Sequence, residues 1–185
     1  MASVVKRVGP FKLKPSRERY GMLVRSILSQ QISVAAARTI RSRLLAAMPH
    51  GRVEPAVVTG MSVDELRSIG ISRQKATYLL NLSQHVQSGA INFRRIGQLG
   101  NDAVIEELIQ VKGIGRWTAQ MFLIFSLGRP DVFAPDDLGL RAAIRNEYGL
   151  AEMPSVAEAS AVAATWAPFG SLASWYLWRS LETPK

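Results

Sequence analysis

The apolar residues of this chain recur with the spacing of helices along almost its whole length. After Ser16, a candidate N-cap, the first predicted helix runs from Arg19 and carries an apolar face formed by Met22, Leu23, Ile27 and Leu28. A polar break at Gln30 and Gln31 follows, and further predicted helices cover residues 33–48, 72–87, 102–110, 115–127, 138–148, 155–166 and 172–181. No segment alternates apolar and polar residues as a half-buried strand would, so the pattern predicts an all-α fold with short loops.

The stretch at residues 111–119, Val-Lys-Gly-Ile-Gly-Arg-Trp-Thr-Ala, predicts two helices joined by a tight turn. Apolar residues flank it on both sides at helical spacing. A Gly-x-Gly turn leaves backbone N–H groups exposed at the start of the second helix, where the helix dipole is positive. Such a turn suits a phosphate group.

A weaker copy of this pattern occurs earlier in the chain. Residues 65–76 hold Glu-Leu, then Gly-Ile-Ser-Arg and an Ala, whereas residues 107–119 hold Glu-Leu, then Gly-Ile-Gly-Arg and an Ala. The earlier copy lacks the second Gly, so we expect a similar hairpin without the same phosphate-binding turn. It begins at Ser62 and Glu65, which have the spacing of a capping box.

Two carboxylates, Asp136 and Asp137, follow Pro135 at the start of the predicted helix 138–148. An Asp in this position is commonly an N-cap that accepts a hydrogen bond from the first turn. A phosphate-binding turn followed by a carboxylate also suggests chemistry on nucleic acid. The residues alone leave both roles open.

The composition raises the expectation of a nucleic-acid partner. The 185 residues suffice for one domain, and 23 basic against 14 acidic residues give a net charge of +9. Residues 1–15 are basic and end in Pro15, which predicts a loosely attached arm before a single domain at residues 16–185. A core of this size needs no partner to fold, so we expect a monomer.

Several classes of protein are disfavoured by what the sequence lacks. It has no Cys, so disulfides, thiolate metal sites and a Cys nucleophile are excluded. Its two histidines, His50 and His85, lie far apart in unlike contexts, which argues against a zinc site. With no apolar run of about 18 residues and no secretion signal, we expect an intracellular protein without membrane contact, cytoplasmic and nucleoid-associated if bacterial.

Four stretches together resemble the helix-hairpin-helix DNA glycosylase superfamily, and most closely its AlkA-like branch, the 3-methyladenine DNA glycosylase II enzymes. They are residues 27–34, 113–119, 131–137 and 166–178, so the resemblance spans roughly residues 20–180. It implies two helical lobes with an active-site cleft between them. It also implies a minimal form without the N-terminal α/β domain of the best-known bacterial member.

The resemblance assigns catalysis to Asp137, with Asp136 as the helix cap or a supporting partner. In such enzymes the carboxylate stabilises the positive charge that develops on the deoxyribose as the base leaves, and orients or deprotonates the attacking water. A base alkylated at N3 or N7 is already a good leaving group, which fits the absence of any histidine from these motifs.

The target base must be flipped out of the duplex, and an aromatic pocket would favour a cationic base. The implied pocket consists of Trp117, Met121, Trp166 and Phe169, while Trp175, Tyr176 and Trp178 are interpreted as packing. Superfamily members that also cut the strand have a Lys at the position of Trp117, so no lyase activity is expected. The absence of Cys excludes the iron–sulfur cluster of other branches.

The implied contacts to DNA come from two loops. A polar wedge, Gln31, stands where the bacterial AlkA-like enzyme inserts a Leu, and Ile32 could share its work; Gly170 replaces an Arg common in relatives. The hairpin contributes Lys112, Gly113, Gly115, Arg116 and Thr118. Family hairpins often hold Na⁺ or K⁺ through loop carbonyls, here those of Ile109, Val111 and Ile114, and no other cofactor is expected.

Together these residues predict a monofunctional DNA glycosylase that acts on double-stranded DNA with alkylated bases. Its substrates would be 3-methyladenine foremost, then 7-methylguanine and related lesions, and its product an abasic site. Two alternatives remain open at this point: a noncatalytic module that binds lesions or DNA structures, and a glycosylase for deaminated or oxidised bases.

Overall fold

A computed structural model describes residues 1–183, and over these residues the chain is helical with no β-strand. The helices are α1 (Ala2–Val8), α2 (Arg19–Ser29), α3 (Val34–Ala46), α4 (Pro55–Thr59), α5 (Val63–Ser68), α6 (Arg73–Gln87), α7 (Phe93–Ile96), α8 (Asn101–Ile109), α9 (Arg116–Phe122), α10 (Leu138–Tyr148), α11 (Val156–Ala164) and α12 (Gly170–Glu182). A π-helical segment, Leu123–Leu127, follows α9. No helix among the described residues combines the length and the apolar character that crossing a bilayer requires.

The chain divides into two compact units. One is continuous, Ser16–Phe122, and is called the hairpin unit here because it contains the Gly-rich turn. The other, called the aspartate unit because it contains Asp137, combines Met1–Pro15 with the chain from Leu123 onward.

In the hairpin unit, the apolar face predicted for the first helix is buried. Leu23, Ile27 and Leu28 of α2 are at most 1% exposed, and α2 packs against α6 and α9. The α6 side chains Leu79 and Leu82 are fully buried. Burial of large aliphatic side chains contributes about 1.5–3 kcal/mol each, so this face is what holds α2 in place.

In the aspartate unit, α12 is the central element, and α1 and α10 both pack against it. Leu140 and Ile144 of α10 and Leu177 of α12 are fully buried. Gly149, in the left-handed region at φ 69°, ends α10. The bounds of α10 agree with the predicted helix at both ends.

The first fifteen residues differ from the loosely attached arm that their basic composition predicts. Residues 2–8 form α1, and Val4 is 1% exposed. Arg7 makes an ion pair with Glu147 at 2.5 Å, and the Tyr176 hydroxyl donates to the Gly9 carbonyl at 3.1 Å. The sequence does not predict this apolar contact, because the segment is mostly basic and too short to show a helical repeat.

Helix ends follow local capping more closely than apolar spacing. The capping box of Ser62 and Glu65 is present, as predicted, and Ser33 caps α3. The predicted cap Ser16 is wrong, because Glu18 occupies the N-cap position of α2 and its N–H donates to the Ser16 hydroxyl. The short helices α4 and α7 were not predicted, since five and four residues are too few for a 3.6-residue period to emerge.

Candidate functional site

The Gly-rich turn between α8 and α9 is a tight hairpin whose apolar residues anchor it. Val111 and Ile114 are 1% and 4% exposed, and the Ile114 N–H donates to the Val111 carbonyl at 3.0 Å. Gly113 has φ 87°, and a Cβ there would lie 2.2 Å from the Tyr78 ring. This position therefore requires glycine for two reasons, its left-handed backbone conformation and the lack of space for a side chain beside the Tyr78 ring.

Gly115, by contrast, borders open space. A Cβ placed on it would meet no heavy atom within 4 Å. Lys112, Gly115 and Arg116 are all exposed, so the hairpin presents two cations and an accessible backbone together. These are the features that the sequence predicts for a phosphate-binding turn.

Two hairpin-unit residues predicted to contact DNA or base are not on the surface. Thr118 is 4% exposed and Met121 is 5% exposed. The side chain of Thr118 points into the unit because its position on α9 shares the buried face with Ala119 and Phe122. The side chain of Thr118 is therefore not available to DNA, whereas the ring of Trp117, the preceding residue, is 44% exposed.

The loop carbonyls predicted to hold a monovalent cation are hard oxygen donors of the right chemistry. The carbonyl of Val111 accepts the Ile114 N–H and, with two lone pairs, retains the capacity for one further partner. No cluster of His, Cys, Asp and Glu side chains suited to a metal ion occurs in residues 1–183.

The polar break after α2 is a strained loop. Gln31 lies in the left-handed region at φ 56°, the one non-Gly residue to do so in the described part of the chain. Such a conformation costs about 1–2 kcal/mol for a non-Gly residue and is concentrated at functional sites. Gln31 and Ile32 are exposed, the latter by 37%, as a residue that enters DNA must be.

The structure gives Asp137 the first of the two roles that the sequence left open, that of a helix cap. It is the N-cap of α10, and its Oδ1 accepts the Leu140 N–H at 2.8 Å. The alternative assignment of the cap to Asp136 is wrong, because that side chain is exposed and the cap position belongs to its neighbour.

A second donor reaches the same oxygen of Asp137. The indole N–H of Trp178 in α12 donates to Oδ1 at 3.1 Å. The Trp178 ring stacks on Phe125 at 5.6 Å between centroids, and Gly139 makes room, since a Cβ there would lie 3.4 Å from the indole and 3.1 Å from Oδ1. The sequence interpretation of Trp178 as packing missed this contact, because aromatic spacing in a helix does not reveal a partner far away in the chain.

The other predicted pocket residues of the aspartate unit differ in exposure. Trp166 is 8% exposed, donates its N–H to the Tyr148 hydroxyl at 3.0 Å and meets Phe133 edge-on at 5.5 Å. Phe169 precedes α12 and is 55% exposed. Phe169 is therefore the more accessible ring, while Trp166 has a packed and hydrogen-bonded position.

Gly170, where relatives commonly have Arg, is explained by its surroundings. Its N–H donates to Oδ1 of Asp131 at 2.9 Å, and a Cβ would lie 2.8 Å from that same oxygen. Ser171 donates its backbone N–H to the Pro130 carbonyl and accepts the Val132 N–H on its hydroxyl. The start of α12 thus holds the segment that leads to Asp137, and a side chain at residue 170 would displace the Asp131 carboxylate from the Gly170 N–H.

Comparison with known protein families and structures is consistent with this geometry. A family model described as HhH-GPD superfamily base excision DNA repair protein matches residues 24–168. DNA-3-methyladenine glycosylase 1 of Schizosaccharomyces pombe is 35% identical over 182 residues, which cover 96% of this chain and 80% of the relative.

Two solved structures superimpose on nearly the whole chain. A 3-methyladenine DNA glycosylase of Schizosaccharomyces pombe in complex with abasic DNA is 34% identical with a TM-score of 0.86, covering 98% of this chain and 90% of that one. A DNA-3-methyladenine glycosidase of Bacillus halodurans is 33% identical with a TM-score of 0.89, covering 97% and 82%.

Proposed function

The chain belongs to the HhH-GPD superfamily of base excision DNA repair proteins, and from this membership we propose that it is a monofunctional DNA glycosylase that excises alkylated purines, foremost 3-methyladenine, and leaves an abasic site. Membership confirms the predicted all-α fold and the resemblance on which the prediction rested. The observation that carries the proposal is the fixed carboxylate of Asp137, at the position where the superfamily motif has its catalytic Asp. Relatives of about one-third identity carry the same activity in their names.

The chemistry follows from the surroundings of Asp137. As the N-glycosidic bond breaks, positive charge builds on the deoxyribose, and a carboxylate held nearby stabilises that charge. The Leu140 and Trp178 N–H groups already fix its Oδ1, so little reorganisation is needed during the reaction. The same carboxylate orients or deprotonates the attacking water. The cationic base leaves without a general acid.

The flipped base needs electron-rich walls. Of the aromatic rings predicted to meet the base, Trp117 in the hairpin unit is 44% exposed and Phe169 in the aspartate unit is 55% exposed, so each ring is accessible enough to stack on a cationic purine. Trp166 and Met121 are buried, so neither side chain is accessible enough to stack on the base in the same way. Trp117 stands where strand-cutting members have a Lys, so no Schiff base forms there and the DNA strand stays intact.

DNA binding uses the exposed loops of the hairpin unit. Lys112 and Arg116 supply charge and the backbone of Gly113 and Gly115 supplies close approach to a phosphate. Gln31 enters the duplex where the base has left. The carbonyls of Ile109, Val111 and Ile114 would hold a monovalent cation, which would supply positive charge for a phosphate. The proposed partner is double-stranded DNA with alkylated bases, bound by a monomer.

The decisive experiment measures base release from methylated duplex DNA, resolving 3-methyladenine from 7-methylguanine. Wild type should release 3-methyladenine, whereas Asp137→Asn should lose about 100-fold or more in rate. The amide oxygen of Asn still accepts the Leu140 and Trp178 N–H groups, so folding and DNA binding should persist.

Asp136→Asn is the matched control, because it removes the same charge from the next residue, whose side chain is exposed. It should retain most of the activity. Near-full release by Asp137→Asn, or an equal loss in both variants, would refute the assignment. Tight DNA binding without release by wild type would redirect the assay to deaminated or oxidised bases and then to a binding module.

A further inference from the structure

Three side chains on one face of α6 reach two different loops of the hairpin unit. They are Lys75, Tyr78 and Asn81, spaced three residues apart and each half-buried. The Lys75 ammonium donates to the Leu28 carbonyl at 2.7 Å, in the last turn of α2. The Tyr78 ring packs against Gly113, since it occupies the space that a Cβ at that residue would need. Asn81 accepts the Lys112 N–H at 2.9 Å.

The two loops are also joined directly. The side-chain amide of Gln30 donates to the carbonyl of Gly113 at 2.8 Å. Gln30 is the last residue before the strained Gln31, so this bond fixes the loop at the point where its backbone turns. A cavity of about 370 Å³ lies beside the bond, and its walls include Gln30, Gln31, Lys75, Tyr78 and Gly115.

We propose that Gln30 is a positioning residue that ties the Gln31 loop to the hairpin, so that phosphate binding by the hairpin and entry of Gln31 into the duplex are energetically coupled. This inference rests on the proposed function, which gives the two loops their roles in DNA binding. Through the tie, a phosphate bound at the hairpin holds Gln31 at a fixed position along the DNA.

The physical basis is a shared ordering cost. Two independent loops would each lose conformational freedom when they meet DNA, whereas loops held as one body lose it once. Loss of either contact with DNA then reduces the binding free energy that the other contact contributes. Such coupling appears in a double-mutant cycle as losses that do not add.

Substitution by Glu breaks the tie with little change of shape. A carboxylate at residue 30 has no donor for the Gly113 carbonyl, so two oxygens would face one another. Gln74→Glu is a matched control for the added negative charge, because Gln74 lies on the rim of the same cavity. Its partner is the Tyr78 hydroxyl, which can donate to a carboxylate, so that contact survives.

The experiment measures the dissociation constant for a duplex that contains a stable abasic-site analogue. Four proteins are compared in each background: the parent, Gln31→Ala, Gly115→Leu and the double variant. Gly115 borders open space, so a Leu there obstructs the DNA and leaves the fold intact. In the wild-type background, the double variant should lose about tenfold less affinity than the product of the single losses.

In the Gln30→Glu background the affinity loss of the double variant should equal the product of the two single losses. In the Gln74→Glu background the double variant should still fall short of that product by about tenfold. An equal shortfall with and without Gln30, no shortfall in wild type, or its disappearance with Gln74→Glu would overturn the proposal. Thermal unfolding of every variant shows whether the fold is intact. Failure of the proposed function would show separately, as wild type that releases no 3-methyladenine from methylated duplex.

Discussion

Oδ1 of Asp137 accepts hydrogen bonds from two elements, the N–H of Leu140 in α10 and the indole N–H of Trp178 in α12. The first bond is an ordinary helix cap, and the second comes from a ring held in place by Phe125. Hydrogen bonds to a charged group contribute about 1.5–3 kcal/mol, more than those between neutral groups. Trp178 therefore fixes the orientation of the proposed catalytic carboxylate.

Trp178→Phe removes the N–H donor and retains a ring that can stack on Phe125. We expect the single-turnover rate of base release to fall about tenfold to 100-fold, with unchanged affinity for abasic DNA. Trp175→Phe is the control, because it makes the same change in α12 at a ring that contacts Phe11 and Tyr176 instead. Equal single-turnover rates of base release for wild type and Trp178→Phe would show that the Trp178 N–H has no part in positioning Asp137.

At this scale the sequence predicts the identity of Asp137 but not its surroundings. Both Asp136 and Asp137 stand between Pro135 and the helix, and it is the resemblance to the superfamily motif that selects Asp137. The Trp178 contact depends on how α12 lies beside α10, and it joins residues 41 positions apart. No local pattern records such a pair.

Among the elements, the hairpin between α8 and α9 shows how one motif combines two different requirements. Gly113 is needed by the fold, because its φ is 87° and Tyr78 occupies the space of a side chain. Gly115 is not required by the packing, because a Cβ there would meet no heavy atom within 4 Å, and its proposed role is the approach of a phosphate to the backbone. The sequence predicts a phosphate-binding turn from both residues together and does not separate their roles.

Substitutions at the two glycines should therefore change different properties: stability at Gly113 and DNA binding at Gly115. Gly113→Ala should lower the free energy of unfolding by about 2–5 kcal/mol, from backbone strain and overpacking against Tyr78. Gly115→Leu should leave that free energy nearly unchanged and weaken binding to damaged and undamaged DNA alike. Denaturant titration and a binding assay on both variants check this, and equal destabilisation by the two would contradict it.

The elements also show where periodicity is informative. It predicts α10 at both ends and α6 within one residue, because each has a long apolar face and a polar cap. It fails for α1, whose single deeply buried residue, Val4, gives no repeat. The predicted helix 115–127 is α-helical only to Phe122 and then becomes π-helical, a change that apolar spacing does not distinguish.

For the whole molecule, one buried hydroxyl gives stability a dependence on pH. Tyr20 is 8% exposed, and its hydroxyl lies 2.8 Å from that of Ser83, which itself donates to the Leu79 carbonyl. Tyr20 is therefore the donor to Ser83. Burial raises the pKa of Tyr20 from 10.0 to about 12, against a smaller lowering by this hydrogen bond.

Because the folded-state pKa is raised, the associated stability is complete below pH 10.0 and is lost as the pH rises to about 12. Over that interval the unfolded chain ionises first, at a cost of about 3 kcal/mol to the folded state. Tyr20→Phe should be less stable at neutral pH, since Ser83 loses a donor, and should lack this alkaline loss. Unfolding free energies of the two proteins that stay parallel across this interval would contradict the assignment.

The order in which the chain is synthesised gives the division into units a further consequence. All packing partners within Ser16–Phe122 leave the ribosome before Asp137 does, so this unit can acquire its structure early. Helix α1 is made before the hairpin unit but packs on α12, which is made after it, and the Tyr176 bond to Gly9 joins positions 167 residues apart. A nascent chain can therefore complete the hairpin unit, with its proposed DNA-binding turn, while the aspartate unit, with its proposed catalytic carboxylate, still waits for α12.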